Sequence, residues 1–452
     1  NLPTNWNGKS LQFGGGGYNG RVVTGLGHYA KQPASEQTPL TKGYVTLGSD
    51  SGHQSSGGFD GSFFLIDEAL RNYGHEQIKK THDVAMLLIQ SRYGTQSQYN
   101  YFIGGSQGGH EAFDAAQRYP DDYHGIVAGY PAHNVVMLQL SANQYARALL
   151  ANNGASWLSP AKVNAFTARV YDVCDGLDRA EDGIISDVVS CINATQDFKL
   201  NNQQNPIRCD GGADTGDSCL SDAQIQALNV MDEPYDLGFS VFADDESNSV
   251  FPKWSPFEGS TFFDGGFPNL GGDGPESSLQ SAPGDAMPKY AIAQDLTLDT
   301  MNDFEPAKYA GRISKLVELI SANSVNLDRF QDKGGKLIYF HGMVDDFIPI
   351  YSSIEYWERL QGRYDENLLS DFVRFYTIPG MGHRTGKFNA RLSSLDALEA
   401  WVERGVEPSN LITTDANQAT AGRSRPVCHY PEWPRYNGRG DINSADSFTC
   451  VE

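Results

Sequence analysis

Gly104-Gly105-Ser106-Gln107-Gly108 places a serine between glycines at G-x-S-x-G spacing, after the apolar run Tyr99 to Ile103 and before the helix-forming stretch His110 to Ala116. A serine on a sharp strand-to-helix turn takes a strained backbone that only small neighbours permit, and its hydroxyl stands clear as a nucleophile. The spacing alone also fits an ordinary Gly/Ser turn in a chain with 48 glycines, so it needs partners. They follow in order. Lys336 to Phe340 reads as a buried strand delivering His341-Gly342-Met343-Val344-Asp345-Asp346, and Asp371 to Ile378 reads as another, ending in Pro379-Gly380-Met381-Gly382-His383. Serine, acid and histidine on loops past strand ends are the parts needed for acyl transfer. Ser106 would attack a carbonyl, His383 would move the proton, and one of the adjacent Asp345 and Asp346 would orient the imidazole and offset its charge. The tetrahedral intermediate also needs N–H donors. Gln107, following the nucleophile, offers one, and the run Gly14 to Gly20 after Ser10 to Phe13 offers another. That run lacks the G-K-[ST] ending of a phosphate loop and the βαβ setting of a dinucleotide fingerprint.

Such loops need one sheet to carry them. Residues 1–132 and 321–452 contain the glycine run, a strand at Tyr44 to Leu47, a helix near Ile78 to Arg92, the serine turn and both later loops. Together they predict a catalytic domain of the α/β class with an α/β-hydrolase fold. The intervening stretch, 133–320, is rich in Gly, Asp, Asn, Ser and Pro and holds four of the six cysteines. It shows little apolar periodicity beyond a helix near Ala161 to Val173, and it reads as a large inserted lid domain of the kind that shields an acyl pocket from water and selects substrate. Its aromatic residues Trp157, Phe251, Trp254, Phe257, Phe262 and Phe263 are candidates for a platform under a planar acyl group, or for the domain's own core.

A net charge of −22 argues against nucleic acid or acidic membranes as partners and leaves small or polymer-borne neutral substrates. No apolar run approaches the ~20 residues that cross a bilayer. Asn1-Leu2-Pro3 reads as mature sequence with no secretory signal in view. The cysteines, Cys174, Cys191, Cys209, Cys219, Cys428 and Cys450, are even in number and show no C-x-x-C spacing for zinc. In an acidic, Asn/Gly/Ser-rich chain they suggest disulfides and a secreted or periplasmic protein, with the pairing open. Between Asp175 and Ile184, acidic side chains recur around a glycine as a hard cation such as Ca²⁺ requires, though not at EF-hand spacing; a solvated acidic turn has the same composition.

Along nearly its whole length the chain resembles the tannase and feruloyl esterase family, including its terephthalate-monoester hydrolases. The likeness runs through Trp6-Asn7-Gly8, the glycine run to Gly20, the segment from Tyr101 to Gly109 and Tyr123 to Gly129. It continues in Cys174 to Asp178, His341 to Asp345, Pro379 to His383, Trp401 to Gly405 and the end from Arg423 to Cys450. The resemblance implies Ser106, Asp345 and His383 as the triad, and Gly17 and Gln107 as the oxyanion hole. It implies a structural Ca²⁺, with no cofactor for catalysis, held by the side chains of Asp175, Asp178 and Asp182 and the carbonyls of Ala180 and Ile184. It pairs Cys174 with Cys191, Cys209 with Cys219, and Cys428 with Cys450. Trp254, His341 and Phe347 are the substrate-contacting candidates, Phe347 because its position faces the pocket in relatives. The implied function is a secreted serine esterase acting on hydroxycinnamate, gallate or related phenolic esters through an acyl-enzyme. Terephthalate-monoester hydrolysis and a silent, phenolic-binding hydrolase fold are the alternatives. Two departures stand out. Gly105 and Arg384 occupy positions where the family has a cysteine pair beside the triad, and Phe263 to Tyr290 lacks the arginine that would meet a terephthalate carboxylate. The chain also begins late relative to the family, without its usual first strands.

Overall fold

In the computed structural model the described residues are 1–55, 57–241, 249–260 and 283–452. A central sheet forms from β1 (Lys9–Phe13) and β2 (Val45–Leu47), followed, after helix α1 (Gln77–Tyr93), by β3 (Tyr99–Gly105), helix α2 (Gln107–Arg118) and β4 (Gly125–Gly129). Helices α3 (Val135–Leu150), α4 (Pro160–Cys174), α5 (Asp222–Asp232) and α6 (Ala310–Ile320) lie in the intervening stretch. The chain then returns to the sheet with β5 (Lys336–Gly342), α7 (Ile350–Arg363), β6 (Val373–Ile378), α8 (Ser394–Arg404) and β7 (Cys428–His429). The strand order is β7-β6-β5-β4-β3-β1-β2, parallel throughout except for the antiparallel edge strand β7.

Strands covered on both faces read as continuous apolar runs rather than alternating ones. Tyr101, Phe102 and Ile103 of β3 and Leu337 to Phe340 of β5 are all buried. One core, with Phe102, Phe113, Tyr339, Trp357 and Phe375, lies on one side of the sheet; a second, with Leu11, Tyr101, Ile338, Leu398 and Trp401, lies on the other. Because the strands are parallel, the loops after β1, β3, β5 and β6 leave from the same edge, where α/β sheets place their sites.

The intervening stretch is more helical than its composition predicts. The missed helix α3, VVMLQLSANQYARALL, is apolar on most sides and buried on most sides, so it carries no narrow stripe for a period-based reading to find. Asn134 caps it by accepting from the Met137 amide at 3.2 Å. Its neighbours form a third core that also takes in Tyr18, Phe63, Phe64, Tyr73, Phe347 and Ile348 from outside the stretch. The boundary drawn at 133 therefore crosses a shared core. Disulfides join Cys174 to Cys191, Cys209 to Cys219, and Cys428 to Cys450.

Candidate active site

Ser106 lies between β3 and α2 at φ 63° and ψ −122°, a strained conformation for a residue with a side chain. Its amide donates to the Gly129 carbonyl at 3.0 Å, tying the turn to the next strand. From the loop after β6, His383 Nε2 lies 3.0 Å from Ser106 Oγ. Its Nδ1 faces both oxygens of Asp345, at 2.9 and 3.2 Å. Asp345 is held in turn: its Oδ1 accepts from the amides of Phe347 and Ile348 at 2.8 and 2.9 Å, and His341 Nε2 lies 3.4 Å from its Oδ2. Burial pushes this carboxyl upward, but the charge of His383 and the hydrogen bonds from His341 and His383 outweigh it and keep Asp345 well below the usual carboxylate range.

A cavity of about 350 Å³ opens beside the serine, lined by Gly17, Gln107, Phe59, Tyr73, Leu138 and Phe347 among others. Gly17 sits at φ +56°, and a Cβ there would come 2.6 Å from the Gly58 carbonyl, so this close approach requires glycine. Among the described residues no carbonyl or side chain takes the amides of Gly17 or Gln107. The Gln107 amide is one of the unpaired N–H groups that every helix start leaves open. The glycine run is fixed from below by Glu111, on the first turns of α2. Its carboxylate accepts from the Gly15 amide at 2.8 Å and from Asn19 Nδ2 at 2.6 Å. Burial raises the Glu111 carboxyl to about 7 against the pull of those two bonds. Nothing in the sequence marked Glu111, which reads as an ordinary polar residue of an amphipathic helix.

The expected substrate contacts divide. Phe347 lines the cavity and stacks on His383, with centroids 4.9 Å apart. Trp254 does not belong there. It is fully buried, packed edge-on against Tyr145, and its amide donates to the Met231 carbonyl. His341 is also corrected: fully buried behind Asp345, with Nδ1 2.8 Å from Ser353 Oγ and Nε2 3.0 Å from the Ile348 carbonyl, it supports the acid rather than facing the cavity. Phe251 and Phe257 are core residues, Trp157 packs on that core, and Phe262 and Phe263 lie outside the described residues, as does most of the stretch from Phe263 to Tyr290. The aromatic wall comes instead from Tyr18, Phe59 and Tyr73. Tyr18 directly follows the four glycines Gly14 to Gly17, a signal that was available. Where a Cβ on Gly105 would project, the Tyr130 hydroxyl lies 2.7 Å away, so tyrosine fills the space beside the triad, with its ring edge-on to His383.

In the acidic loop each aspartate caps a turn: Asp175 Oδ1 accepts from Gly183, Asp178 Oδ1 from Ala180 and Asp182 Oδ1 from Ile184, at 2.8 to 2.9 Å. Arg425 pairs with the second oxygen of Asp182. Oδ2 of Asp178 is buried without a hydrogen bond of normal geometry, although the Ser186 hydroxyl lies close enough to ease its charge. Burial, with the charges of Asp182 and Asp175, lifts Asp178 to about 7. Among the described residues Asp175 and Asp178 have no cationic partner, and with the spare buried oxygen of Asp178 and the Arg425-paired Asp182 they offer the donor set a hard cation takes. His82, Asp83 and Asp122 hold their ligand atoms within 4.8 Å of one another, but Lys79 already pairs with both carboxylates.

The tannase and feruloyl esterase family matches residues 1–451. An uncharacterised esterase of Agrobacterium fabrum is 36% identical over 460 residues, covering 100% of this chain and 82% of that protein. The mono(2-hydroxyethyl) terephthalate hydrolase of Piscinibacter sakaiensis is 28% identical over 494 residues, with 100% and 80% covered. The feruloyl esterase B structure from Aspergillus oryzae shares the fold at a TM-score of 0.80 and 24% identity, covering 100% of this chain and 86% of that one. The chain belongs to the tannase and feruloyl esterase family and is a carboxylic ester hydrolase.

Proposed function

We propose that the protein hydrolyses esters of aromatic acids through an acyl-enzyme on Ser106. The carrying observation is the unbroken hydrogen-bonded chain from Ser106 through His383 to Asp345 at the mouth of a largely apolar cavity. As Ser106 Oγ attacks the ester carbonyl, His383 Nε2 takes its proton. Asp345 keeps the Nδ1 proton in place and stabilises the imidazolium. The amides of Gly17 and Gln107 receive the oxyanion, and His383 returns the proton to the leaving alcohol. Water then repeats the sequence on the acyl-enzyme. Tyr18, Phe59, Tyr73 and Phe347 suit a flat acyl group such as a hydroxycinnamate or gallate. The relatives named for feruloyl ester hydrolysis point the same way.

Val135, Leu138 and Gln139 of α3 reach this cavity, which supports a lid role for the intervening stretch. Three disulfides and no free cysteine among the described residues support secretion or a periplasmic location. The side chains of Asp175, Asp178 and Asp182, with the carbonyls of Ala180 and Ile184, would hold a structural Ca²⁺. Ser106→Ala should lower kcat for methyl ferulate by about 10⁴-fold or more while the fold is retained by circular dichroism. Undiminished turnover would refute the reading.

A further inference from the structure

We infer that the cleft on the far side of His383 is a subsite for a carboxylate carried on the alcohol portion of the ester. This rests on the esterase reading above and extends it to the leaving group.

Two hollows meet at His383 and Arg384. The first holds Ser106, Gln107 and Gly17, and therefore the reacting carbonyl. The second, about 530 Å³, is lined by His28, Lys31, Gln32, Tyr130 and Arg391 together with the two shared residues, and contains neither the nucleophile nor an oxyanion donor. His383 must hand its proton to the leaving oxygen, so the alcohol departs along the imidazole. A group that reaches the second cleft is therefore joined to the substrate through that oxygen.

The charge of this cleft opposes that of the protein. The chain carries 56 acidic against 34 basic residues, yet Lys31, Arg384 and Arg391 line the cleft and no aspartate or glutamate does. Lys31 is only 9% exposed, and its ammonium donates to the Arg384 carbonyl at 3.0 Å. Arg391 Nη1 donates to Asn389 Oδ1 at 2.9 Å and to the Ala390 carbonyl at 3.0 Å. These bonds go to neutral oxygens, and among the described residues neither cation forms an ion pair. Burial first, and then the charge of Arg391, push the Lys31 ammonium down to about 8, with the charge of Asp345 acting the other way. Two adjacent cations kept without a counter-ion form a ready acceptor for a carboxylate, which would make charge-assisted hydrogen bonds with both.

The test compares two feruloyl esters of matched size, of glycolic acid and of ethylene glycol. The wild-type kcat/KM should favour the glycolate ester by about tenfold, chiefly through KM, and salt should erode the preference. Arg391→Gln and Lys31→Met should each remove most of that preference while leaving the ethylene glycol ester within about twofold of wild type. Mono(2-hydroxyethyl) terephthalate, whose charge is on the acyl side, should be unaffected by Arg391→Gln. Equal turnover of the two feruloyl esters by wild type, equal slowing of both by the variants, or a selective loss on the terephthalate ester would overturn the subsite and leave the esterase reading standing. Failure to hydrolyse any of the three esters would bring down both.

Discussion

Glu111 illustrates how one buried group ties the nucleophile's helix to the oxyanion loop. Its carboxyl titrates near 7 in the folded protein against an ordinary value of 4.5, with burial the main cause. The folded state thus binds the extra proton between those values, so this contribution to stability is complete below 4.5 and is lost as pH rises through 7. Urea unfolding of Glu111→Gln should lack that decline, which amounts to about 3 kcal/mol at most by linkage. A slope equal to wild type would show that Glu111 titrates normally. At this scale, the triad was legible because each member sits in a short motif at a strand end. Trp254 was misread because whether an aromatic residue lines a cavity or fills a core is decided by tertiary packing, which the sequence around Trp254 does not encode.

At the scale of elements, β3, β5 and β6 could be read directly, since doubly buried parallel strands are runs of apolar residues bounded by glycine or proline. Helix α3 could not be read, because a helix buried on most sides loses the polar face that gives a period its contrast. It nevertheless supplies part of the cavity wall through Val135, Leu138 and Gln139. Replacing Leu138 with phenylalanine should crowd the acyl site and cut kcat/KM for a feruloyl ester by about tenfold, while an acetyl ester of the same alcohol stays within about twofold. Equal effects on the two esters would place Leu138 outside the acyl contact surface. Glu111 escaped notice for a related reason: on paper α2 is amphipathic, and only the folded glycine run, pressed against it, turns that face inward.

For the whole molecule, the arrangement of two flanking segments around one sheet was legible from the order of the motifs alone. What composition could not reveal is that the core beneath α3 is shared with Tyr18, Phe63, Phe64 and Tyr73, because apolar contacts between distant segments leave no local pattern. The Cys174–Cys191 disulfide brackets the acidic loop, and Arg425 reaches that loop from the C-terminal region. Ca²⁺ bound there would tie the middle of the chain to its C-terminal region. Chelation should lower the melting temperature by about 3 °C or more, with recovery on adding Ca²⁺ and no change in kcat measured at 25 °C, as roughly expected for a ligand bound only by the folded state. An unchanged melting temperature would show that the loop stands without an ion. No helix among the described residues is long and apolar enough to cross a membrane.

Strands β4 and β5 are neighbours in register, Gly129 opposite Phe340, yet some two hundred residues of chain separate them. Seen this way, 133–320 is a single overgrown crossover between adjacent strands, leaving at the edge that carries the chemistry and coming back at the opposite one. Swapping that excursion for another would leave every rung between the two strands in place, but the replacement would have to bring its own apolar underside to cover Tyr18, Phe63, Phe64 and Tyr73.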